Sequence, residues 1–268
     1  MLPEYLSSFN KILKSFQEKF PVQSWSKEFR NSLINDYSFF SARIEDSKLQ
    51  YGDTIRFLNS ETIRSINLPS LLGISEHQKT LSNLLDQLDD FDMSETMIKN
   101  IHSSLMNSKF AWDGEFKIEL VGNYRNFPTV GSRLPFFENK QYAPHYNLEM
   151  IMASYIDMFK ARFNDIDNSL AEKHIISRIA YFHNKFLNEI HPFADGNGRV
   201  CRIIIGAILM KNYCPPIFPK ILDQENQLEY ISTIIECEKM NADIPLIKYL
   251  AKGMSDYMTE KINSSSCT

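Results

Sequence analysis

Apolar residues return at helical intervals along almost the whole chain, which leaves room for only a little sheet. Ile175, Ile179, Phe182, Phe186 and Ile190 step by 4, 3, 4 and 4 residues and so share one face of a helix. The same spacing predicts helices over Tyr5–Phe20, Glu28–Arg43, Gln78–Leu88, Ser94–Met106, Leu148–Phe163, Arg199–Lys211, Gln227–Met240 and Ile244–Ile262, about nine in all. Phe116–Arg133 breaks the rhythm. There Phe116, Ile118 and Leu120 alternate, and Gly122 and Gly131 punctuate the run, which predicts a short hairpin or extended flap. The expected fold class is therefore all-α, a helical bundle with a small β-hairpin flap. Cys214-Pro215-Pro216-Ile217-Phe218-Pro219 predicts an elbow that stops the helix before it, and Asn263–Ser266 a frayed end.

Composition narrows the function classes. With 268 residues and 43% hydrophobic content the chain can bury a real core, and nine glycines and eleven prolines are too few for a low-complexity or fibrous protein. A formal charge of -4 gives no electrostatic reason to expect nucleic acid as a partner. The longest apolar run, Ile203–Met210, is too short to span a membrane, and Met1-Leu2-Pro3-Glu4-Tyr5 has no basic stretch leading into an apolar one. No membrane partner and no signal peptide are expected. Cys201, Cys214, Cys237 and Cys267 form neither a CxxC pair nor a disulfide framework, so a reducing cytoplasm is the expected setting.

Two glycines fall within three residues in His191-Pro192-Phe193-Ala194-Asp195-Gly196-Asn197-Gly198-Arg199-Val200-Cys201-Arg202, between the helix ending near Ile190 and the one starting near Arg199. Glycines beside Asn let successive N–H groups turn inward, and the helix N-terminus behind them adds partial positive charge, so the loop suits an anion such as a diphosphate. Arg199 and Arg202, at i and i+3, project toward the same ligand from a helix end where cations are otherwise unfavourable. Asp195 beside such a cradle calls for a divalent cation, and Mg2+ with water and phosphate ligands is the natural choice. His191 is a short loop away, where a neutral imidazole can take a proton from an incoming hydroxyl. A plainer reading makes Asp195 a helix cap and the arginines partners of surface acids. It accounts for single residues better than for the whole constellation. There is no GxxxxGK(S/T), and His174 and His183 read as helix residues with local hydrogen bonds rather than metal ligands; His77, His102 and His145 offer nothing specific.

His191 through Arg202 resembles the signature of the Fic (filamentation induced by cAMP) family, HxFx(D/E)GNGRxxR, at every specified position. Most Fic proteins transfer AMP from ATP to a Ser, Thr or Tyr hydroxyl of a target protein. The resemblance implies a Fic core over 97–218, an N-terminal helical region over 1–96 and C-terminal helices over 219–268 packed on the core. It implies ATP and Mg2+ as cofactors, with His191 as the catalytic base and Asp195 on the metal. Gly196, Asn197 and Gly198 would form the anion hole, with Arg199 and Arg202 on the β and γ phosphates. Phe193 would anchor the loop from beneath. The segment through Thr129, Val130 and Gly131 would clamp a target peptide by strand addition, with Pro128 removing one backbone donor. A homodimer is also implied by family analogy.

Upstream, Ser41-Ala42-Arg43-Ile44-Glu45-Asp46 resembles the inhibitory motif (S/T)xxxE(G/N) of class II Fic proteins, with Asp46 in place of Gly or Asn. On a helix at about 36–46, Ser41 and Glu45 lie one turn apart on one face. The resemblance then implies that Glu45 pairs with Arg202 where the γ phosphate would lie; the alternative is a surface Glu pairing with Lys48 or Arg43. In some relatives the same glutamate serves removal of AMP. Tyr230 stands where relatives place a tyrosine near the adenine, although tyrosine in an amphipathic helix is usually packing, and Glu238, Lys239 and Asn241 lie near the place of a purine-contacting Asn. Competing functions are transfer of UMP, GMP, phosphate or phosphocholine, hydrolytic removal of AMP, and a non-catalytic nucleotide-binding module.

Overall fold

A computed structural model describes residues 2–61, 68–107, 109, 116–133 and 138–264, the side chains of 130–139 excepted. Ten α-helices lie among them. In chain order they are α1 (Glu4–Lys19), α2 (Lys27–Glu45), α3 (Tyr51–Leu58), α4 (Leu68–Asp86), α5 (Glu95–Met106), α6 (Leu148–Asn164), α7 (Ile175–Asn184), α8 (Asn197–Lys211), α9 (Gln224–Met240) and α10 (Ile244–Ser264). Side chains close several of the starts: Ser26 accepts from the Phe29 amide, Ser94 from Met97 and Asp223 from Asn226. Their apolar faces build one core, in which α8 is central. Val200, Cys201 and Ile203 through Leu209, glycine included, are buried along its length, and α2, α4, α5 and α7 all pack against it. The N-terminal α1 lies along the C-terminal α10, and α2 packs on both α4 and α8.

Two of these elements differ from the sequence expectation. The short α3 goes unanticipated, and α4 begins ten residues before the periodic run at Gln78, because Leu71 and Ile74 are buried in it. The flap differs as well. Ile118–Leu120 is a single 3₁₀ turn rather than a strand, and the hairpin lies further on, β1 (Val130–Arg133) pairing antiparallel with β2 (Glu138–Gln141). Alternation over five residues carries a strand only if a neighbour supplies the ladder, and here the ladder forms after Pro128. Asn263 and Ser264 belong to α10, whereas Ser265, Ser266 and Cys267 lie outside the described residues. Cys201, Cys214 and Cys237 are free and buried. No helix among the described residues is long and apolar enough to cross a membrane.

Candidate nucleotide and transfer site

The helix that delivers His191 does not reach it as an α-helix. After Asn184 the chain widens into a π-helical segment over Lys185–Ile190, closed by the His191 amide on the Phe186 carbonyl at 2.9 Å. His191 itself takes a left-handed conformation at φ 49. Such local strain in a non-glycine residue persists only where its surroundings hold it. Its Nδ1 is 2.9 Å from the Leu187 carbonyl, which can only accept, so Nδ1 carries the proton and Nε2 is left as the acceptor. Tyr142 stacks on the imidazole at 4.0 Å and 14°. Burial lowers the His191 pKa, with the Arg125 charge assisting and the Leu187 carbonyl, Glu45 and Asp195 opposing, so the ring is neutral near neutral pH.

Past Pro192 the loop is pinned from inside. Asn197 accepts from the Phe193 amide at 2.9 Å and donates to its carbonyl at 2.8 Å, so its buried side chain serves the loop and only its backbone N–H is free to face a ligand. Phe193 is fully buried, its ring 3.9 Å from and nearly parallel to that of His102. His102, to which the sequence assigned nothing, is a strut: its Nδ1 accepts from the Gly122 amide at 2.9 Å, leaving Nε2–H to donate to the Asp195 carbonyl at 3.1 Å. Its only sequence signal is a polar residue on the apolar face of α5. Gly196 sits at φ 77, where a side chain would be strained, and begins α8 with no side-chain cap. The first amides of α8 are therefore open to an anion.

The Asp195 carboxylate, 38% exposed, pairs with Lys109 through Oδ2 and lies 3.5 Å from Arg199 through Oδ1. Burial acts to raise its pKa, but Arg199 and Lys109 prevail and hold it below the usual carboxylate range. No group of three or more His, Cys, Asp or Glu side chains converges among the described residues. A lone, partly open carboxylate beside an anion loop does fit Mg2+, which takes one or two protein carboxylates and completes its shell with phosphate and water. Lys109 would have to cede Oδ2 to it. The Arg199 Nε is buried without a hydrogen-bond partner, beside a cavity of about 150 Å³ between Glu45, Asp46, Gly73, Lys109 and Arg199.

Arg202 is 1% exposed and is gripped by the end of α2. Its Nε donates to Ser41 Oγ at 2.7 Å, and its Nη2 donates to the Ser41 carbonyl at 3.1 Å and to Glu45 Oε1 at 2.8 Å. Burial acts to lower the guanidinium pKa, but the Glu45 carboxylate outweighs it and the net shift is upward. A Cβ added at Gly198 would lie 2.8 Å from both Glu45 Oε1 and Arg202 Nη1. The carboxylate thus rests against the glycine that opens the cradle. Asp46 ends α2 in an extended conformation, φ -136, so the position does not require Gly or Asn; its Oδ2 accepts from Ser70 Oγ at 2.7 Å.

Tyr230 is placed differently from the expectation of a base contact. It is 3% exposed, its hydroxyl 2.5 Å from His183 Nε2, and it faces the Arg202 guanidinium inside the core. His174 caps α7 and meets Asn10 at 2.9 Å, and His183 meets the Tyr230 hydroxyl. At the flap, Val130 pairs with Gln141 and Gly131 with Lys140, directly after Thr129; with two strands in the sheet among the described residues, each keeps an open edge. A polar groove of about 340 Å³ runs between Lys140, Asn184, Asn188, Cys237, Glu238 and Asn241.

An all-helical core thus carries a glycine loop at a helix N-terminus beside an imidazole whose Nε2 is left as an acceptor. The Fic/DOC family model matches residues 92–209, and that segment of the chain carries the Fic domain. It is 27% identical over 222 residues to protein adenylyltransferase fic-1 of Caenorhabditis briggsae, covering 81% of this chain and 39% of that one. It is 36% identical over 80 residues to protein adenylyltransferase Fic of Nematostella vectensis, covering 30% and 17%. The chain thus spans about two fifths or less of the length of these curated relatives. Among solved structures, a Fic domain containing signaling protein from Bacteroides thetaiotaomicron superimposes with a TM-score of 0.75 at 20% identity, covering 98% of this chain and 97% of that one. Fic-1 from C. elegans does so with a TM-score of 0.71 at 20% identity, covering 98% and 72%. These likenesses establish the Fic fold.

Proposed function

We propose that this chain is a self-inhibited protein adenylyltransferase that moves AMP from MgATP to a Ser, Thr or Tyr hydroxyl of a target protein. The observation that carries the reading is the contact of Glu45 and Ser41 with Arg202 at the mouth of the anion loop, beside a histidine whose Nε2 is free to accept a proton. In the reaction His191 Nε2 takes the proton of the target hydroxyl, whose oxygen bonds to the α phosphorus while the α–β anhydride bond breaks and pyrophosphate leaves. The open amides of Asn197 and Gly198, with Arg199, hold the departing phosphates, while the Gly196 amide donates to Asp195 Oδ1 at 2.5 Å, and Arg202 holds the γ phosphate once Glu45 has moved. Asp195 would hold Mg2+, which when bound offsets charge on the α and β phosphates. The groove beside β2 and α9, rather than Tyr230, offers polar groups for the base, and the open edge after Thr129 for a target strand.

The brake works by occupancy. While Glu45 holds Arg202, its carboxylate and the γ phosphate compete for one guanidinium, and ATP is left without its outer anchor. Residues 1–96 then form the regulatory region, 97–218 the Fic core and 219–268 its C-terminal support. A half-exposed Glu45 side chain, 51% accessible, is also placed to hold a water, which favours removal of AMP as a second activity.

The test is labelling of target or self with ATP tagged at the α or the γ phosphate, in wild type, Glu45→Gly and Glu45→Gly/His191→Ala. Strong α label in Glu45→Gly alone is the expected result. γ label instead would mean phosphate transfer, and α label persisting in the double variant would remove His191 as the base. Loss of AMP removal in Glu45→Gly would support the second activity.

A further inference from the structure

His191 is held in its left-handed conformation by a residue outside the signature. Arg125 is 2% exposed, and it belongs to none of the ion pairs found among the described residues. Its guanidinium is satisfied by carbonyls instead. Nε donates to the His191 carbonyl at 2.8 Å, Nη2 to Ile190 at 3.3 Å and to Ala143 at 2.5 Å, and Nη1 to Phe127 at 3.1 Å. Its own amide donates to the Pro192 carbonyl at 2.9 Å. Ile190, His191 and Pro192 are the end of the π-helical segment and the start of the loop. Phe127 and Ala143 bracket the β1–β2 hairpin on its entry and exit sides. The exit side is tied again by the Ala143 amide on the Glu189 carbonyl at 2.8 Å, and the residue between β2 and Ala143 is Tyr142, stacked on the imidazole.

We propose that Arg125 is the positioning residue of the transfer site, its guanidinium stapling both roots of the hairpin to the backbone of His191, so that a target strand added to the hairpin and the base that deprotonates it are held as one body. A planar cation with five donors suits this task. It satisfies carbonyls pointing in several directions, and a lysine at the same place could not span them all. The inference rests on His191 acting as the base. The charged groups facing the imidazole are Arg125 from the flap segment, Glu45 from α2 and Asp195 from the loop. With Glu45 removed, Arg125 is the cation that disfavours protonation of the ring.

The experiment uses the full chain carrying Glu45→Gly, with Arg125→Met and Arg125→Lys added to it and His191→Ala as a parallel control. Measured are MgATP affinity, the labelling rate across pH, and the side-chain 15N signals of His191. Arg125→Met is expected to leave ATP affinity within about twofold and to cut the labelling rate by roughly 100-fold, the scale of a misplacement of about 1 Å. The acid limb of its pH profile moves to higher pH, because loss of the cation raises the histidine pKa, and the 15N signals shift from a single Nδ1–H tautomer to a mixture. Arg125→Lys falls between the two. An unchanged pH limb and tautomer in folded Arg125→Met overturns the proposal, whatever happens to the rate. If Arg125→Met does not fold, full activity in Arg125→Lys overturns it. Undiminished labelling in His191→Ala overturns the assignment of the base instead, a separate outcome from the 15N result.

Discussion

At the residue scale the outcome turns on which side chain faces Arg202. A wholly buried arginine stripped of its partner costs roughly 3–5 kcal/mol, and solvent screening at the half-exposed Glu45 keeps this pair below that range. Glu45→Gly is therefore expected to lower the urea midpoint modestly while raising α-label incorporation roughly tenfold or more, since each 1.4 kcal/mol released to the γ phosphate is a factor of ten. A fall in labelling would mean that Glu45 assists transfer. Gly198 is coupled to the same contact. Its Cβ position lies 2.8 Å from the ends of both the Glu45 and the Arg202 side chains, which can swing aside. Gly198→Ala is expected to leave the protein folded but to weaken ATP binding, because the methyl fills the cradle. Isothermal titration in the Glu45→Gly background reads this free of the brake.

Elements decide whether Glu45 can be aimed at all. Helix α2 is held along its length by Leu33, Ile34, Tyr37 and Phe40 in the core, and at its end by Gln227 Nε2 on the Ile44 carbonyl at 2.7 Å. Midway, buried Asp36 accepts from Tyr51 at 2.5 Å and Tyr257 at 2.6 Å and pairs with Lys261 at 3.0 Å, which ties α2 to α3 and α10. Tyr257→Phe removes one hydrogen bond to a charged acceptor and is expected to cost about 1–3 kcal/mol, read as a lower urea midpoint with an unchanged m-value. An unchanged midpoint would mean that Lys261 and Tyr51 already satisfy Asp36. Helix α7 shows the other side of element-scale control. Its periodic face continues through Ile190, but the backbone gains an extra residue per turn at Lys185–Ile190, and that widening delivers His191 in its left-handed pose.

For the whole molecule the buried imidazoles set a pH limit. Burial pushes His102 and His174 down to about 4 and His183 to about 3, against an ordinary value of 6.5. Their neutral forms are part of the native core, so the unfolded chain binds more protons than the native one over that window. Stability is full above about 6.5 and is lost as the pH falls through the native values near 4. Urea midpoints are expected to drop between pH 7 and pH 5, and His102→Gln to reduce the slope. A flat profile would show that these imidazoles charge without cost. The histidines sit where α1, α5 and α7 meet their neighbours, so acid is expected to loosen the scaffold behind the loop.

Periodicity alone was enough to recognise an all-helical protein, because a 3.6-residue apolar repeat is a local property that nine segments carry independently. The loop from His191 to Arg202 was likewise legible as a polar connection into an uncapped helix start, since its glycines and polar side chains are adjacent in the chain. The pairing of Glu45 with Arg202 could be anticipated only through a second motif, and its geometry required α2 to dock on α8. Nothing local marks Arg125, His102 or Lys109 as partners of that loop, nor moves Tyr230 from the base to the core. Those roles arise from carbonyls, rings and carboxylates brought together across tens of residues, and so only the tertiary packing could assign them. The hairpin was misplaced for the same reason. A strand is defined by its partner, and the β1–β2 ladder lies beyond the alternating run, between Phe127 and Ala143, whose carbonyls meet the Arg125 guanidinium.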